Sequence, residues 1–209
     1  MFNRKEKKSN EEKLTTVLAI VLVVALSVAG TYAYLTAQTD QVKNTFTAAG
    51  LASEFSLDES KANQQPDGSY TLDATDRVQE NAYSVVPKVN LAKDPTVHVT
   101  LEKNVGAYVF LAVDNNLGNG LTATIDRGNW TALGTTYTDA QGVVWTMYYK
   151  QLEGSATPAQ VDINVLAGQQ IVVGDTVAED CGNIVFNAYL TQSAGFTDAL
   201  NAWNNSWGK

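Results

Sequence analysis

The fold is decided by one dense apolar run, Ala107-Tyr108-Val109-Phe110-Leu111-Ala112-Val113. An uncharged run of this length predicts a central strand that is buried on both faces. Other runs alternate between apolar and polar residues, which is typical of half-buried antiparallel strands. The apolar faces of those runs are Val97, Val99 and Leu101; Val143, Trp145, Met147 and Tyr149; Val161, Ile163 and Val165; and Ile184, Phe186, Ala188 and Leu190.

Turn-forming residues separate these runs, as expected for strands that reverse direction. The turns are Pro66-Asp67-Gly68-Ser69, Asp114-Asn115-Asn116 with Gly118 and Gly120, Asp139-Ala140-Gln141-Gly142, and Ala167-Gly168. Many short strands with frequent turns predict an all-β fold, a jelly-roll-like antiparallel β-sandwich. Residues 59–83 carry the sequence Gln64-Gln65-Pro66-Asp67-Gly68 and are expected to form a surface loop or insertion.

Near the C-terminus the spacing of the apolar residues changes to that of a helix. Thr197 is a suitable N-cap for this segment. We expect a short C-terminal helix against the sandwich, with its tryptophans used for core packing rather than for holding a ligand. The helical stripe consists of Phe196, Ala199, Leu200, Trp203 and Trp207.

The N-terminus has the pattern of an export signal. Residues 1–13 contain five basic residues, and residues 14–29 form an apolar helix-forming run without charge. Cleavage between Ala33 and Tyr34 places small residues where signal peptidases require them, although neighbouring bonds, including the one after Ala37, also fit. The sequence therefore predicts a signal peptide at 1–33 and a single secreted domain at 34–209.

A retained membrane anchor is the alternative for this segment. Sixteen residues in a helix span about 24 Å, which is short of the ~30 Å hydrocarbon core, but extension through Leu35 makes a marginal span. The basic N-terminus stays in the cytoplasm in both cases. The domain is expected outside the membrane, which it contacts only through an uncleaved N-terminal segment.

Composition excludes several classes of function. The whole chain has a formal charge of −8, and the part after residue 33 has 9 basic and 19 acidic residues, near −10. A chain with this excess of negative charge is not expected to bind nucleic acid, whose phosphates are also negative. The chain has one histidine and one cysteine and lacks HExxH, GxSxG, P-loop and CxxC motifs. We therefore expect no enzyme activity, no catalytic residue, no cofactor and no metal site.

Individual candidates have ordinary structural interpretations. His98 is expected on the solvent face of its strand, and Cys181 is expected to be a free thiol in a turn, with intermolecular pairing as the alternative. The Asp114–Gly118 stretch lacks the sixth-position glycine and the closing glutamate of a calcium loop, so an Asx-turn explains it better. The carboxylate pairs Asp73 with Asp76 and Glu179 with Asp180 are expected to be solvated.

Several motifs, in their order along the chain, resemble the TasA/camelysin family. The N-terminal ones surround the predicted cleavage site, the middle ones lead into the central strand, and the last ones precede the predicted helix. They are Gly30-Thr31-Tyr32-Ala33-Tyr34-Leu35-Thr36, Val42-Lys43-Asn44-Thr45-Phe46-Thr47-Ala48-Ala49-Gly50, Val86-Pro87-Lys88, Lys93-Asp94-Pro95-Thr96-Val97, Ala107-Tyr108-Val109, Asn187 to Phe196, and Ala202-Trp203. Two features depart from the family: residues 85–95 lack its frequent Pro-Gly pair, and 115–160 match no motif.

The resemblance implies a secreted, jelly-roll-like protein of a Gram-positive bacterium that forms fibres of the biofilm matrix. It also implies export through a SipW-type signal peptidase. Some members of the family carry a metallopeptidase label, which the single histidine and the missing HExxH motif do not support.

The segment freed by cleavage offers a route to self-assembly into filaments. Between Tyr34 and Gly50 it alternates Val42, Asn44, Phe46 and Ala48. We expect this donor segment of one subunit to add to a sheet edge of the next, unless it folds back as the first strand of its own subunit. The alternative function is a monomeric cell-surface adhesin or binding module, which would use exposed aromatic residues such as Trp130, Tyr137 and Tyr148.

Overall fold

The computed structural model describes residues 36–38, 50–118 and 120–208. Contacts divide the chain into Met1–Leu35 and Thr36–Lys209, and every described residue belongs to the second unit. The described elements are β1 (Thr36–Gln38), β2 (Ala52–Gln64), β3 (Tyr70–Val78), β4 (Leu91–Ala92), β5 (Thr96–Leu101), β6 (Ala107–Asn115), β7 (Leu121–Ile125), β8 (Thr131–Thr138), β9 (Val144–Leu152), β10 (Ala159–Asn164), β11 (Leu166–Val173), β12 (Ile184–Gln192) and α1 (Ala199–Ser206).

The strands form three antiparallel sheets. The first sheet has five strands in the order β1-β12-β6-β9-β8, the second has four in the order β10-β5-β2-β3, and the third has three in the order β4-β11-β7. Strand β6 lies at the centre of the first sheet, where Leu111 pairs with Ala188 on one side and with Tyr148 on the other. The described chain is thus all-β with one short helix, as the sequence predicts.

Strand β6 separates two hydrophobic cores. Its residues Ala107, Val109, Leu111 and Val113 belong to the larger core, which the second and third sheets complete. The residues between them, Tyr108, Phe110 and Ala112, belong to a smaller core on the opposite face. The prediction of a central strand buried on both faces is confirmed. The predicted faces of β5, β9, β10 and β12 are confirmed as well.

Helix α1 covers the smaller core. Ala199, Ala202 and Trp203 are its buried residues, and the Trp203 ring lies 5.2–5.5 Å from the rings of Phe110, Tyr137 and Tyr189. The expectation that Trp203 serves packing is confirmed. The N-cap is Asp198 and not Thr197, because the Asp198 carboxylate accepts a 2.8 Å hydrogen bond from the Asn201 N–H. Within the described ranges, no helix is long and apolar enough to cross a membrane.

The expectation of a surface loop at 59–83 is wrong. Residues 59–64 and 70–78 continue β2 and β3 as a long hairpin, and only residues 65–69 form its turn. The sequence of this hairpin lacks a clear apolar alternation because polar side chains link its two strands. Lys61 pairs with Asp76, and Arg77 pairs with Asp58. Residues 79–83 follow the hairpin as irregular chain.

The predicted turn at Ala167-Gly168 is also wrong. Both residues lie inside β11, whose pairing with β7 shifts register between Leu166 and Ile171. Gly168 and Gln169 both have positive φ angles there, so the glycine marks a bulge rather than a reversal of the chain.

We expect Trp203→Ala to lower the free energy of unfolding by about 3–5 kcal/mol, because it empties the centre of the smaller core. Leu200, on the same helix, is 41% exposed. Leu200→Ala is therefore the matched control and should change stability by less than about 0.5 kcal/mol. Urea unfolding followed by tryptophan fluorescence measures both, and equal effects of the two variants would contradict the packing described here.

Candidate functional site

A groove of about 970 Å³ lies beside the beginning of strand β12. Phe186 and Ile184 of β12 line it together with Leu57 of β2 and Ile171 of β11, and all four side chains pack on the edge of the larger core. These four side chains give the groove an apolar part. The groove lies at β12, the strand with which β1 pairs.

One wall of the groove is the segment between β11 and β12. Its backbone is tied to the loop after β6, because Asn116 N–H donates to the Asn183 carbonyl at 2.9 Å and Gly118 N–H donates to the Cys181 carbonyl at 3.2 Å. The two segments approach so closely at Gly182 that a Cβ would collide with the Asn116 carbonyl oxygen. Gly182 also has a φ of 72°, which favours glycine. This wall is fixed by the backbone.

The opposite wall is the irregular chain after the β2–β3 hairpin. Asn81 holds it to β2 through both amide atoms, accepting from the Ala62 N–H at 2.8 Å and donating to the Ser60 carbonyl at 2.9 Å. Tyr83 donates its hydroxyl to the Ala92 carbonyl at 3.0 Å. Burial, followed by the charge of Glu59, raises the pKa of the Tyr83 hydroxyl, which keeps this donor protonated.

A buried ion pair lies between the walls. Lys93 Nζ contacts Glu59 Oε2 at 2.5 Å, and their side chains are 11% and 6% exposed. The Tyr83 ring lies 5.5 Å from the same ammonium. Both charges line the groove. Loss of one partner would leave the other charge largely buried and unpaired, which is strongly destabilising.

In the described part of the chain, the five-stranded sheet ends at the short strand β1, which covers part of strand β12. Strand β1 pairs with it antiparallel, with Thr36 opposite Thr191, Ala37 opposite Leu190 and Gln38 opposite Tyr189. Three of the nine residues of β12 are thus in register with β1. The structure does not describe the predicted donor residues or the predicted cleavage site. The donor residues are Val42, Asn44, Phe46 and Ala48, and the cleavage site lies between Ala33 and Tyr34.

A row of alternating charges crosses the second sheet. From β10 to β3 it consists of Asp162, His98, Asp58 and Arg77, and it ends at Asp94. His98 Nδ1 lies 2.8 Å from Asp162 and its Nε2 lies 3.1 Å from Asp58. Arg77 pairs with Asp58 at 2.6 Å and with Asp94 at 3.2 Å.

The row shifts the pKa values of its members. The hydrogen bond to Asp58 and that to Asp162 outweigh burial and raise the pKa of His98. Burial opposes the charge on Asp58, but the hydrogen bonds from His98 and Arg77 lower its pKa. His98 lies on the polar face of its strand, as expected, but its side chain is only 19% exposed because charged neighbours on other strands surround it. The alternation of one strand gave its face correctly but contained no information about its neighbours on other strands.

The other candidates have structural roles. Cys181 is a free thiol that donates to the Ala178 carbonyl at 3.2 Å. Asn115 Oδ1 accepts from the Leu117 N–H at 3.1 Å, which confirms an Asx-turn in this stretch. Asp73 accepts from Thr75. In the part of the chain that the structure describes, no group of three histidine, cysteine or carboxylate side chains is placed to hold a metal ion.

The aromatic residues suggested for a binding module do not form one surface. Trp130 is buried and donates its indole N–H to the Asn164 carbonyl at 2.9 Å. Tyr137 packs with the smaller core and Tyr148 with the larger one, on opposite faces of the sheet. These three residues therefore give no support to an adhesin or carbohydrate-binding module.

Comparison with known proteins gave no match: the chain matches no protein-family profile, no curated protein and no solved structure.

We expect Lys93→Met to lower the free energy of unfolding by about 3–5 kcal/mol, because Glu59 is left buried without its partner. Adding Glu59→Leu should restore most of that loss, since two apolar side chains replace the pair. Lys61→Met is the matched control: it removes an exposed ion pair with Asp76 and should cost less than about 1 kcal/mol. Urea unfolding of the three variants and the unmodified protein provides the test, and equal losses for Lys93→Met and Lys61→Met would contradict a buried pair.

Proposed function

We propose that this chain is a secreted structural subunit of extracellular matrix fibres, of the TasA/camelysin type that its motifs resemble. The proposal includes the jelly-roll connection of the sheets and places the protein at the cell surface or in the biofilm matrix of a Gram-positive bacterium. It assigns no catalytic step, cofactor or metal to the chain.

Within one chain β1 folds back onto β12, which is the alternative to exchange that the sequence left open, and this pairing is also the observation from which the proposal starts. A strand that pairs with an edge inside its own chain can make the same backbone hydrogen bonds with that edge in a neighbouring copy. Strand β1 lies at the N-terminal end of the unit, separated in sequence from β2 by residues 39–51. In the filament, the N-terminal segment of each subunit occupies the β12 edge and the adjoining groove of the next.

Charge explains why such a contact is needed. After removal of residues 1–33 the chain has a net charge near −10, so copies repel each other at low ionic strength. Backbone hydrogen bonds along a strand do not depend on side-chain charge, and the removal of the apolar side chains beside β12 from water is favourable. A head-to-tail exchange does not close on itself and therefore gives a filament.

Export controls this exchange in the proposal. The signal peptide at 1–33 tethers the donor segment to the membrane until a SipW-type signal peptidase cuts between Ala33 and Tyr34. The released segment, with Val42, Asn44, Phe46 and Ala48, then becomes available to a neighbour. If the leader is retained, the same domain stays at the cell surface as an anchored protein.

We expect deletion of residues 34–47 from the secreted protein to abolish filaments in negative-stain electron microscopy. The deleted subunit keeps its β12 edge and groove, so it should still accept a segment from an intact subunit but offer none in return. Added to intact protein at a small molar fraction, it should cap growing ends and shorten the filaments.

The control is Val144→Lys, which changes an exposed residue on β9 and leaves the β12 edge intact. This variant should form filaments of normal length. Filaments made by the deletion variant alone would refute the exchange, as would filaments whose length does not respond to its addition.

A further inference from the structure

The imidazole of His98 has more hydrogen-bonding neighbours than its two nitrogens can serve at once. Nδ1 contacts Asp162 of β10 at 2.8 Å. Nε2 lies 3.1 Å from Asp58 Oδ1 of β2 and also 3.3 Å from Arg77 Nη2 of β3. On its own strand, Thr96 and Thr100 share the face of His98 and carry no charge. Among the described residues, the charged groups in contact with the ring are therefore two carboxylates and one guanidinium.

The two neighbours of Nε2 require opposite protonation states. A carboxylate oxygen only accepts, so the contact with Asp58 needs a proton on Nε2. A guanidinium only donates, so the contact with Arg77 needs a bare Nε2. Asp162 is compatible with both states, because Nδ1 carries a hydrogen in the imidazolium ion and in one of the two neutral tautomers.

We propose that His98 is a two-state proton switch in the second sheet, in which Nε2 exchanges Asp58 for Arg77 when it loses its proton. Nδ1–H stays on Asp162 in both states. The protonated ring connects β10 to β2, and the neutral ring connects β10 to β3. Arg77 does not need to leave its place, since its Nε and Nη1 keep Asp58 and Asp94 at 2.7 and 3.2 Å.

The switch changes charge at the groove. Asp58 lines the groove, and in the protonated state two cations, His98 and Arg77, contact its carboxylate. Loss of the proton removes one of them and leaves the row one unit more negative. Because the folded chain raises the pKa of His98 above 6.5, the protonated state adds stability below that pH, and this contribution is lost as the pH rises through the folded pKa.

The single histidine of the chain makes the test direct, because the spectrum contains one imidazole. The full-length chain, labelled with ¹⁵N, purified without a histidine tag and kept in detergent, is titrated from pH 5 to pH 9. Long-range ¹H–¹⁵N correlation spectra report the protonation of each ring nitrogen. We expect a midpoint above 6.5 and a neutral form with the hydrogen on Nδ1, the reverse of the preference of free histidine.

Two variants separate the contacts. Arg77→Lys keeps the cation but loses the planar fork, so the neutral ring should shift toward the Nε2–H tautomer and donate to Asp58. Asp162→Asn, at a half-exposed position, should lower the midpoint. Asp175→Asn removes an equal charge from an exposed side chain that pairs with Lys88 and is not a member of the row, so it should leave the midpoint unchanged. An Nε2–H tautomer in the unmodified chain, or an Arg77→Lys variant with an unchanged tautomer, would overturn the proposal.

Discussion

Burial of strand β6 on both faces is the constraint on which the rest of the structure depends. Alternate residues of this strand enter two separate cores, so each face needs its own cover. The second and third sheets supply one cover and helix α1 supplies the other. The helix therefore stabilises the first sheet, since without Trp203 the rings of Phe110 and Tyr189 would be exposed to water.

The position of β6 also determines where the edges lie. It pairs with β9 and β12, and among the described residues the other pairing partner of β12 is the short strand β1. The groove lies beside the beginning of β12, and the segments that border it are held by the close backbone approach at Gly182 and by Asn81. A sheet edge beside a groove that offers both apolar and polar side chains is a suitable acceptor for an extended segment.

Patterns along the chain predicted strands β5, β6, β9, β10 and β12, the faces of these strands and the packing role of the helix, because these depend on the solvent exposure of single residues. The polar row and the Lys93–Glu59 pair were not predicted, since 34 residues separate these two and sheet order brings them together. The hairpin at 59–78 was missed for a related reason: cross-strand polar pairs stabilise it, and they leave no period-two signal. The N-cap was placed one residue too early, at Thr197, because both Thr and Asp are good N-cap residues and the sequence pattern does not distinguish them. The hydrogen bond from the Asn201 N–H shows that Asp198 is the cap.

Exchange of the N-terminal strand between subunits is the central claim, and the register of β1 gives a direct measurement. Thr36 lies opposite Thr191, so cysteines at these two positions, with Cys181→Ser to remove the native thiol, are placed to form a disulfide. Filaments of this variant are oxidised, dissolved in SDS and separated without reductant. The account predicts a ladder of covalently linked subunits. Single chains with an internal disulfide, obtained from filaments, would contradict it.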